Sequence, residues 1–123
     1  MFYKVDHMGL SVKDLEVSKK FYEEHFGFEK YFEMETKIPG VDKVYFIRSG
    51  DIVIELVHMD AVNDGYHLCL LSDNFDADYD RLVKAGIEVQ TPAQPAKPRI
   101  PIEEGRKRAM FIGPDGEKIE IRG

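Results

Sequence analysis

Two histidines and two glutamates of the 123-residue chain recur in a pattern, and side chains of these types bind metals and move protons. His7 and His67 stand near the start of the two halves of the chain, and Glu55 and Glu120 stand near the end of the same halves. Imidazole nitrogens and carboxylate oxygens together suit a divalent first-row metal, with nickel or zinc favoured and cobalt, manganese or iron as alternatives. The single cysteine, Cys69, excludes a cage of several thiolates. The pattern therefore predicts a metal site of mixed nitrogen and oxygen ligands.

Alternation along the strands predicts which way these side chains point. Glu55 lies between Ile54 and Leu56, and Glu120 lies between two isoleucines in the same way. Because successive side chains of a strand point to opposite faces, each glutamate should face away from the helix that its apolar neighbours pack against. The two histidines alternate with apolar residues in the same manner. If the halves pack about a pseudo-twofold axis, all four side chains converge.

The elements that must position these residues also repeat. Each half is predicted to be a strand, a helix and three further strands, with the histidine in the middle of the first strand. The predicted strands cover residues 3–12, 28–36, 44–48, 51–57, 66–71, 87–91, 109–112 and 118–121. Two modules of this kind, about 1–60 and 64–123, predict an α+β fold of paired βαβββ units around a cleft. We expect one domain with a shared core, because a module of about 60 residues buries too little surface alone.

Local signals set the bounds of the helices and loops. Asp14 is the predicted N-cap of the first helix and Gly27 its left-handed stop, while Gly86 ends the second helix. The buried side of the first helix is predicted to carry Leu15, Val17, Phe21, Tyr22 and Phe26. A turn is predicted at 63–65, and the proline-rich residues 92–101 are predicted to form an irregular loop.

Two further spacings bear on the site. Phe46 stands nine residues before Glu55, and Phe111 stands nine residues before Glu120, which extends the apparent repeat. The basic run Arg106-Lys107-Arg108 is interpreted as a solvated loop end.

Composition excludes several classes of function. Lys and Arg number 17 against 23 Asp and Glu, a net charge of −6 that repels nucleic-acid backbones. No apolar run approaches the roughly 20 residues of a membrane span, and the N-terminus has no apolar signal segment. A single cysteine suits a reducing compartment. We therefore expect a cytoplasmic protein with a small-molecule substrate and no nucleic-acid or membrane partner.

Four segments carry a family resemblance, and together they cover nearly the whole chain. They are DHMGLSVKDLEVSKKFYEEHFGFE, GDIVIEL, GYHLCLLSD with DYDRLVKAGIEV, and FIGPDGEKIEI. The chain resembles the vicinal oxygen chelate superfamily, which is also called the glyoxalase/bleomycin resistance/dioxygenase superfamily. The resemblance implies paired βαβββ modules curving around a metal cleft, and a homodimer.

Within that superfamily the order His7, Glu55, His67, Glu120 is most similar to the ligands of glyoxalase I, the lactoylglutathione lyase. The resemblance implies a lyase or isomerase that acts on the hemithioacetal of methylglyoxal and glutathione through an enediolate, and so detoxifies methylglyoxal. Glu55 and Glu120 are the implied bases, with Glu120 favoured. Ser11 stands where glyoxalase I usually has an arginine for the glutathione carboxylate, and Glu103-Glu104 make the loop from Pro92 to Gly105 acidic.

Other members of the superfamily remain alternatives. Methylmalonyl-CoA epimerase usually has glutamine where Glu55 stands. Fosfomycin thiol transferases are similar in size but use only three protein ligands, two histidines and one glutamate. A bleomycin-resistance protein binds its ligand without a metal and would need no matched quartet.

Overall fold

The computed structural model of the chain describes residues 1, 3, 6–60 and 67–123. Within these residues the order is strand, helix and three strands, and the same order follows again. The strands are Met8–Val12 (β1), Glu29–Glu35 (β2), Lys43–Ser49 (β3), Ile52–His58 (β4), His67–Leu71 (β5), Glu88–Pro95 (β6), Lys107–Ile112 (β7) and Lys118–Arg122 (β8). The helices are Leu15–Phe26 (α1) and Phe75–Lys84 (α2), with a short 3-10 helix at Pro101–Glu103. The predicted α+β fold of two βαβββ modules is confirmed.

The chain divides into two compact units, residues 1–63 and 64–123. In unit 1 the strand order is β1-β4-β3-β2, with β1 parallel to β4 and the other neighbours antiparallel. Helix α1 covers one face of this sheet. Val12, Ile47, Ile54 and Leu56 are fully buried on that face, where Tyr22 of α1 joins them. The opposite face carries Glu55, and we call it the open face of unit 1.

Unit 2 repeats this topology. Its strand order is β5-β8-β7-β6, with β5 parallel to β8. The core contains Leu82 of α2 together with Ala109, Phe111 and Ile119 of the sheet, all essentially inaccessible to solvent. The face of this sheet opposite α2 carries Glu120, and we call it the open face of unit 2.

The ends of α1 follow the predicted signals. The Asp14 carboxylate accepts a hydrogen bond from the Val17 backbone N–H at 3.0 Å, and Gly27 has a φ of 69°. The predicted buried side was wrong at Val17, which is 51% exposed, whereas Ser18 is buried. At about 100° per residue, Ser18 lies on the same side as Leu15 and Tyr22, and Val17 does not.

Three predicted bounds differ from the structure. His7 precedes β1, and His67 is the first residue of β5, so neither histidine is in the middle of a strand. Strand β6 continues to Pro95, because it lies at the end of its sheet, where prolines are tolerated. The predicted turn at 63–65, with Val5 and Tyr66 of the predicted strands, lies outside the described residues.

None of the described helices is long and apolar enough to cross a membrane.

Candidate metal centre

The first histidine and glutamate of the predicted site meet in unit 1. His7 Nε2 lies 3.2 Å from Glu55 Oε2. Strand β1 is parallel to β4 with Gly9 beside Glu55, and this register brings His7 to the glutamate from just before the strand. Phe46, the register partner of Glu55 on β3, packs edge-on against the imidazole with ring centroids 5.5 Å apart. The pair therefore lies on the open face of unit 1 beside the ring of Phe46.

Asp6 orients the His7 ring. Its Oδ2 lies 2.7 Å from His7 Nδ1, and this hydrogen bond is the main cause that raises the pKa of His7. With Nδ1 bound to a carboxylate, Nε2 is the nitrogen that faces Glu55. A carboxylate on the second ring nitrogen is a common partner of histidines that bind metals. Sequence analysis did not identify Asp6, although its position next to a candidate ligand was a usable signal.

The second histidine and glutamate meet in unit 2 in the same way. His67 Nε2 lies 3.2 Å from Glu120 Oε2. Here β5 is parallel to β8 with Cys69 beside Glu120, the counterpart of Gly9 beside Glu55. The thiol thus shares the open face with His67, as alternation predicts.

Glu120 has a partner that Glu55 lacks among the described residues. Arg108 Nε donates to Glu120 Oε1 at 2.9 Å, while the other carboxylate oxygen faces His67. The Glu120 side chain is 9% exposed and that of Glu55 is 25% exposed. Glu120 is therefore more buried and has more side-chain partners than Glu55 among the described residues, although the two glutamates occupy equivalent strands.

The interpretation of Arg106-Lys107-Arg108 as a solvated loop end was wrong. Lys107 and Arg108 begin β7, and alternation places Arg108 on the open face, two residues before Met110, the register partner of Glu120. Lys107 Nζ binds Asp76 at 2.7 Å, so the run supplies ion pairs within unit 2.

The equal spacing of Phe46 and Phe111 is not a structural equivalence. Phe46 pairs with Glu55 on an open face, whereas Phe111 pairs with Ile119 and is fully buried. The connection between β7 and β8 is longer than that between β3 and β4, and this shifts the register by one residue. Met110 takes the place that Phe46 has in unit 1.

The donor chemistry of the two pairs fits a divalent metal. Each pair offers one imidazole nitrogen and one carboxylate oxygen on the same face of a sheet. Among residues 6–60 and 67–123, no group of three or more His, Cys, Asp or Glu side chains is placed to hold a metal ion. The quartet of ligands accordingly stays a prediction that draws one pair from each unit.

Comparison with known proteins identifies the family. A family profile described as the Glyoxalase/Bleomycin resistance protein/Dioxygenase superfamily matches residues 4–121. The chain belongs to this superfamily, and the resemblance noted in the sequence is confirmed.

Individual proteins are similar to the chain in sequence or in fold. The chain is 30% identical to the uncharacterized protein YwbC of Bacillus subtilis, with 98% of each chain covered. The glyoxalase family protein from Enterococcus faecalis has the same fold, with a TM-score of 0.79, 21% identity, and 99% of this chain and 98% of that chain covered. A mutant of the fosfomycin resistance protein FosX from Listeria monocytogenes, complexed with Mn(II) and 1S,2S-dihydroxypropylphosphonic acid, has a TM-score of 0.75 and 22% identity over 98% of this chain and 92% of that one.

Proposed function

We propose that this protein is a metal-dependent lyase or isomerase of the glyoxalase I type. Its substrate is a hemithioacetal or a similar small molecule with two vicinal oxygens. The proposed ligands are His7, Glu55, His67 and Glu120, and the proposed enzyme is a homodimer in which each chain is one domain of two modules. The observation that carries the proposal is the same contact of 3.2 Å, from histidine Nε2 to glutamate Oε2, in both halves of the chain.

The repeat is what separates this contact from an ordinary surface ion pair. A single exposed histidine beside a glutamate has little functional meaning, because surface pairs of this kind are common and weak. Here both pairs use the same nitrogen and the same type of oxygen, away from the helix. In each pair the histidine stands two residues before the register partner of the glutamate. A metal-free binding protein would have no use for this duplicated donor set.

The residues around the pairs have roles in this proposal. When bound, a divalent metal would act as a Lewis acid toward substrate oxygens and stabilise the negative charge that develops there. Asp6 keeps Nε2 of His7 toward the ligand side, and Arg108 holds one oxygen of Glu120 so that the other faces His67. Phe46 packs edge-on against the imidazole of His7 and helps to hold the ring in place.

The contacts favour Glu55 as the group that moves the proton, although Glu120 was favoured on sequence grounds. A base that takes a proton from one carbon and returns it to the next must be able to turn. Arg108 restrains the buried Glu120 carboxylate by a charge-assisted hydrogen bond, and Glu55 has no guanidinium partner among the described residues. Glu120 is therefore the firmer ligand in this proposal.

This inequality also supports a second candidate, a fosfomycin-modifying enzyme. Enzymes of that type would use three ligands, His7, His67 and Glu120, without Glu55. The more exposed and less restrained Glu55 is compatible with such a set. The solved FosX structure combines Mn(II) with a phosphonate in a similar fold.

The first test is a metal titration of the chelator-stripped protein with nickel and with zinc. We expect one ion per chain in the parent. Mutation of residues that only support metal ligands typically weakens metal binding by roughly 10–100-fold. The double variant Glu55→Gln with Glu120→Gln removes two ligands and should weaken metal binding by more than that. Isothermal titration calorimetry measures both values. Absence of binding by the parent would refute the proposal and leave the metal-free binding class.

The single variant Glu55→Gln then separates the two candidates. A four-ligand glyoxalase type predicts weaker metal binding and loss of turnover of the methylglyoxal–glutathione hemithioacetal. A three-ligand fosfomycin type predicts unchanged metal affinity and consumption of fosfomycin by the parent. An absorbance assay for the thioester product follows the hemithioacetal reaction, and phosphorus NMR follows the consumption of fosfomycin.

A further inference from the structure

Each unit has a cation twelve residues before its glutamate, and the two cations lie on opposite faces of their sheets. Lys43 precedes Glu55 by this distance, and Arg108 precedes Glu120 by the same distance. Lys43 Nζ lies 5.3 Å from the centre of the Tyr45 ring, on the side of the sheet that α1 covers. Arg108 instead donates to Glu120 on the open face. Spacing in the sequence therefore does not decide which cation binds a glutamate.

The turns between the paired strands account for this difference. In unit 1, Ser49 and Ile52 are register partners, so the turn from β3 to β4 contains two residues. In unit 2, the Gly113 N–H donates to the Glu117 carbonyl at 2.8 Å, and three residues, 114–116, lie between them. Because side chains alternate along a strand, the extra residue places the side chains of β7 on the opposite face from those of the same spacing in β3.

The side chain of Glu117 stabilises the longer turn. Its carboxylate is folded back over the turn, where Oε2 accepts the Asp115 backbone N–H at 2.8 Å, and the residue is 4% exposed. The Gly116 N–H donates to the Gly113 carbonyl at 3.0 Å, and Gly116 has a φ of 78°. These features define a three-residue hairpin loop that ends in a left-handed glycine. Glu117 thus binds the N–H in the middle of this loop.

Gly113 leaves the space that the Glu117 carboxylate occupies. A Cβ on Gly113 would lie 2.9 Å from Glu117 Cγ and closer still to its carboxyl group. Carbon atoms that are not bonded pack at about 3.5–4.0 Å, so a side chain at position 113 and the folded-back carboxylate exclude each other. In unit 1 the residues that flank the turn are Ser49 and Ile52. The interlocked glycine and glutamate therefore belong to the turn with the extra residue.

We propose that Glu117 is a positioning residue for the candidate metal centre. With Gly113 it fixes the three-residue turn, and the turn sets the register of β7 on β8. This register places Arg108 against Glu120. Because register in a hairpin follows from turn type and loop length, a side chain that stabilises the turn acts on the whole ladder. The role of Glu120 as a metal ligand in this inference rests on the proposed function.

A double-mutant cycle on nickel affinity tests this coupling. The variants are Glu117→Ala, Arg108→Met and the two combined, measured on the full chain by isothermal titration calorimetry. We expect each single variant to bind nickel on the order of 10-fold more weakly than the parent, as is typical when a residue that supports a metal ligand is replaced. The combined variant should bind no more weakly than Arg108→Met alone, because Glu117 acts through Arg108. Glu117→Gln keeps an acceptor for the Asp115 N–H and should restore most of the affinity.

Asp14→Ala is the control for a general loss of stability, because it removes a helix cap in unit 1 and should leave nickel affinity unchanged. An equal loss of affinity in this control would overturn the inference. Additive losses in the combined variant, no loss in Glu117→Ala, or no recovery in Glu117→Gln would overturn it as well. If Glu117→Ala does not fold, Glu117→Asp takes its place, since its carboxylate is one methylene group shorter and cannot reach the Asp115 N–H in the same way.

Nitrogen-15 NMR of the Arg108 side chain separates this inference from the proposed function, because it needs no metal. The hydrogen bond to Glu120 should give the Arg108 Nε–H a slowly exchanging signal in the metal-free parent and in Glu117→Gln, and faster exchange in Glu117→Ala. This pattern, without nickel binding by the parent, would refute the proposed function and leave the positioning role of Glu117 standing. The same exchange rate in Glu117→Ala as in the parent would overturn the inference at any nickel affinity.

Discussion

Glu103 shows how far a single residue can differ from what its sequence suggests. The pair Glu103-Glu104 makes its loop look acidic and solvent-facing, yet the Glu103 side chain is only 4% exposed. Arg99 beside it, by hydrogen bonds from side chain and backbone, lowers the pKa of Glu103 to about 2. One of the two loop glutamates is therefore buried against arginines, and only Glu104 is exposed.

Replacing Glu103 by glutamine should make stability depend less on pH. Because the folded pKa of Glu103 is below its ordinary value of 4.5, its contribution is present above pH 4.5 and is lost as the pH falls to about 2. We expect Glu103→Gln to lower the melting temperature by several degrees at pH 7, and the difference to shrink toward pH 2. Thermal unfolding followed by circular dichroism at several pH values measures this.

Glu104→Gln is the control for that comparison, since Glu104 is the adjacent, exposed glutamate. A similar loss of stability in the control, or a constant loss for Glu103→Gln at all pH values, would contradict the assigned role of the buried carboxylate.

At the scale of the elements, local capping signals place α1, and α1 covers the core face of the sheet of unit 1. The helix begins after Asp14 and ends before Gly27, as predicted. The register of the strands depends on more than local signals. Because the connection between β7 and β8 is longer than that between β3 and β4, residues with the same spacing in the two halves do not occupy equivalent positions in the two sheets. Helix ends are therefore more predictable here than strand register.

Removing the cap of α1 should destabilise the protein without affecting its site. Asp14→Ala deletes the acceptor for the Val17 N–H and should cost about 1 kcal/mol of the free energy of unfolding. Asp14→Asn keeps an acceptor at this position and should be close to neutral. Urea unfolding gives both values. An equal cost for the two variants would indicate that charge, and not the cap, is what matters.

At the scale of the whole molecule, the repeat divides the proposed ligands between two units, one pair in each. A metal held by ligands from both units would stabilise the native chain as a whole. At a free metal concentration of about 100 times the Kd, that stabilisation would be about 2.7 kcal/mol.

His7→Ala and His67→Ala should each abolish the rise in melting temperature that nickel produces. The physical reason is that a four-ligand site fails when either half loses its imidazole. Differential scanning calorimetry with and without nickel tests this, and His25→Ala, on α1, serves as the control. Two independent sites would instead leave part of the rise in each variant, and that outcome would refute a shared metal.

The order of the elements and the faces of the key residues could be predicted from the residue pattern alone. Glu55 and Glu120 face away from the buried Ile54 and Ile119 because side chains alternate along a strand, and this rule needs only neighbouring residues. The capping of α1 by Asp14 was predictable for the same reason.

The contacts between residues on different strands and loops could not be predicted in this way. Strand register decides that Arg108 contacts Glu120 and that Phe111 is buried and not on the open face. The path of a loop decides that three arginines surround Glu103. A shift of one residue in a hairpin moves every side chain of a strand to the other face. Such a shift depends on how distant segments pack, and spacing in the sequence carries no record of it.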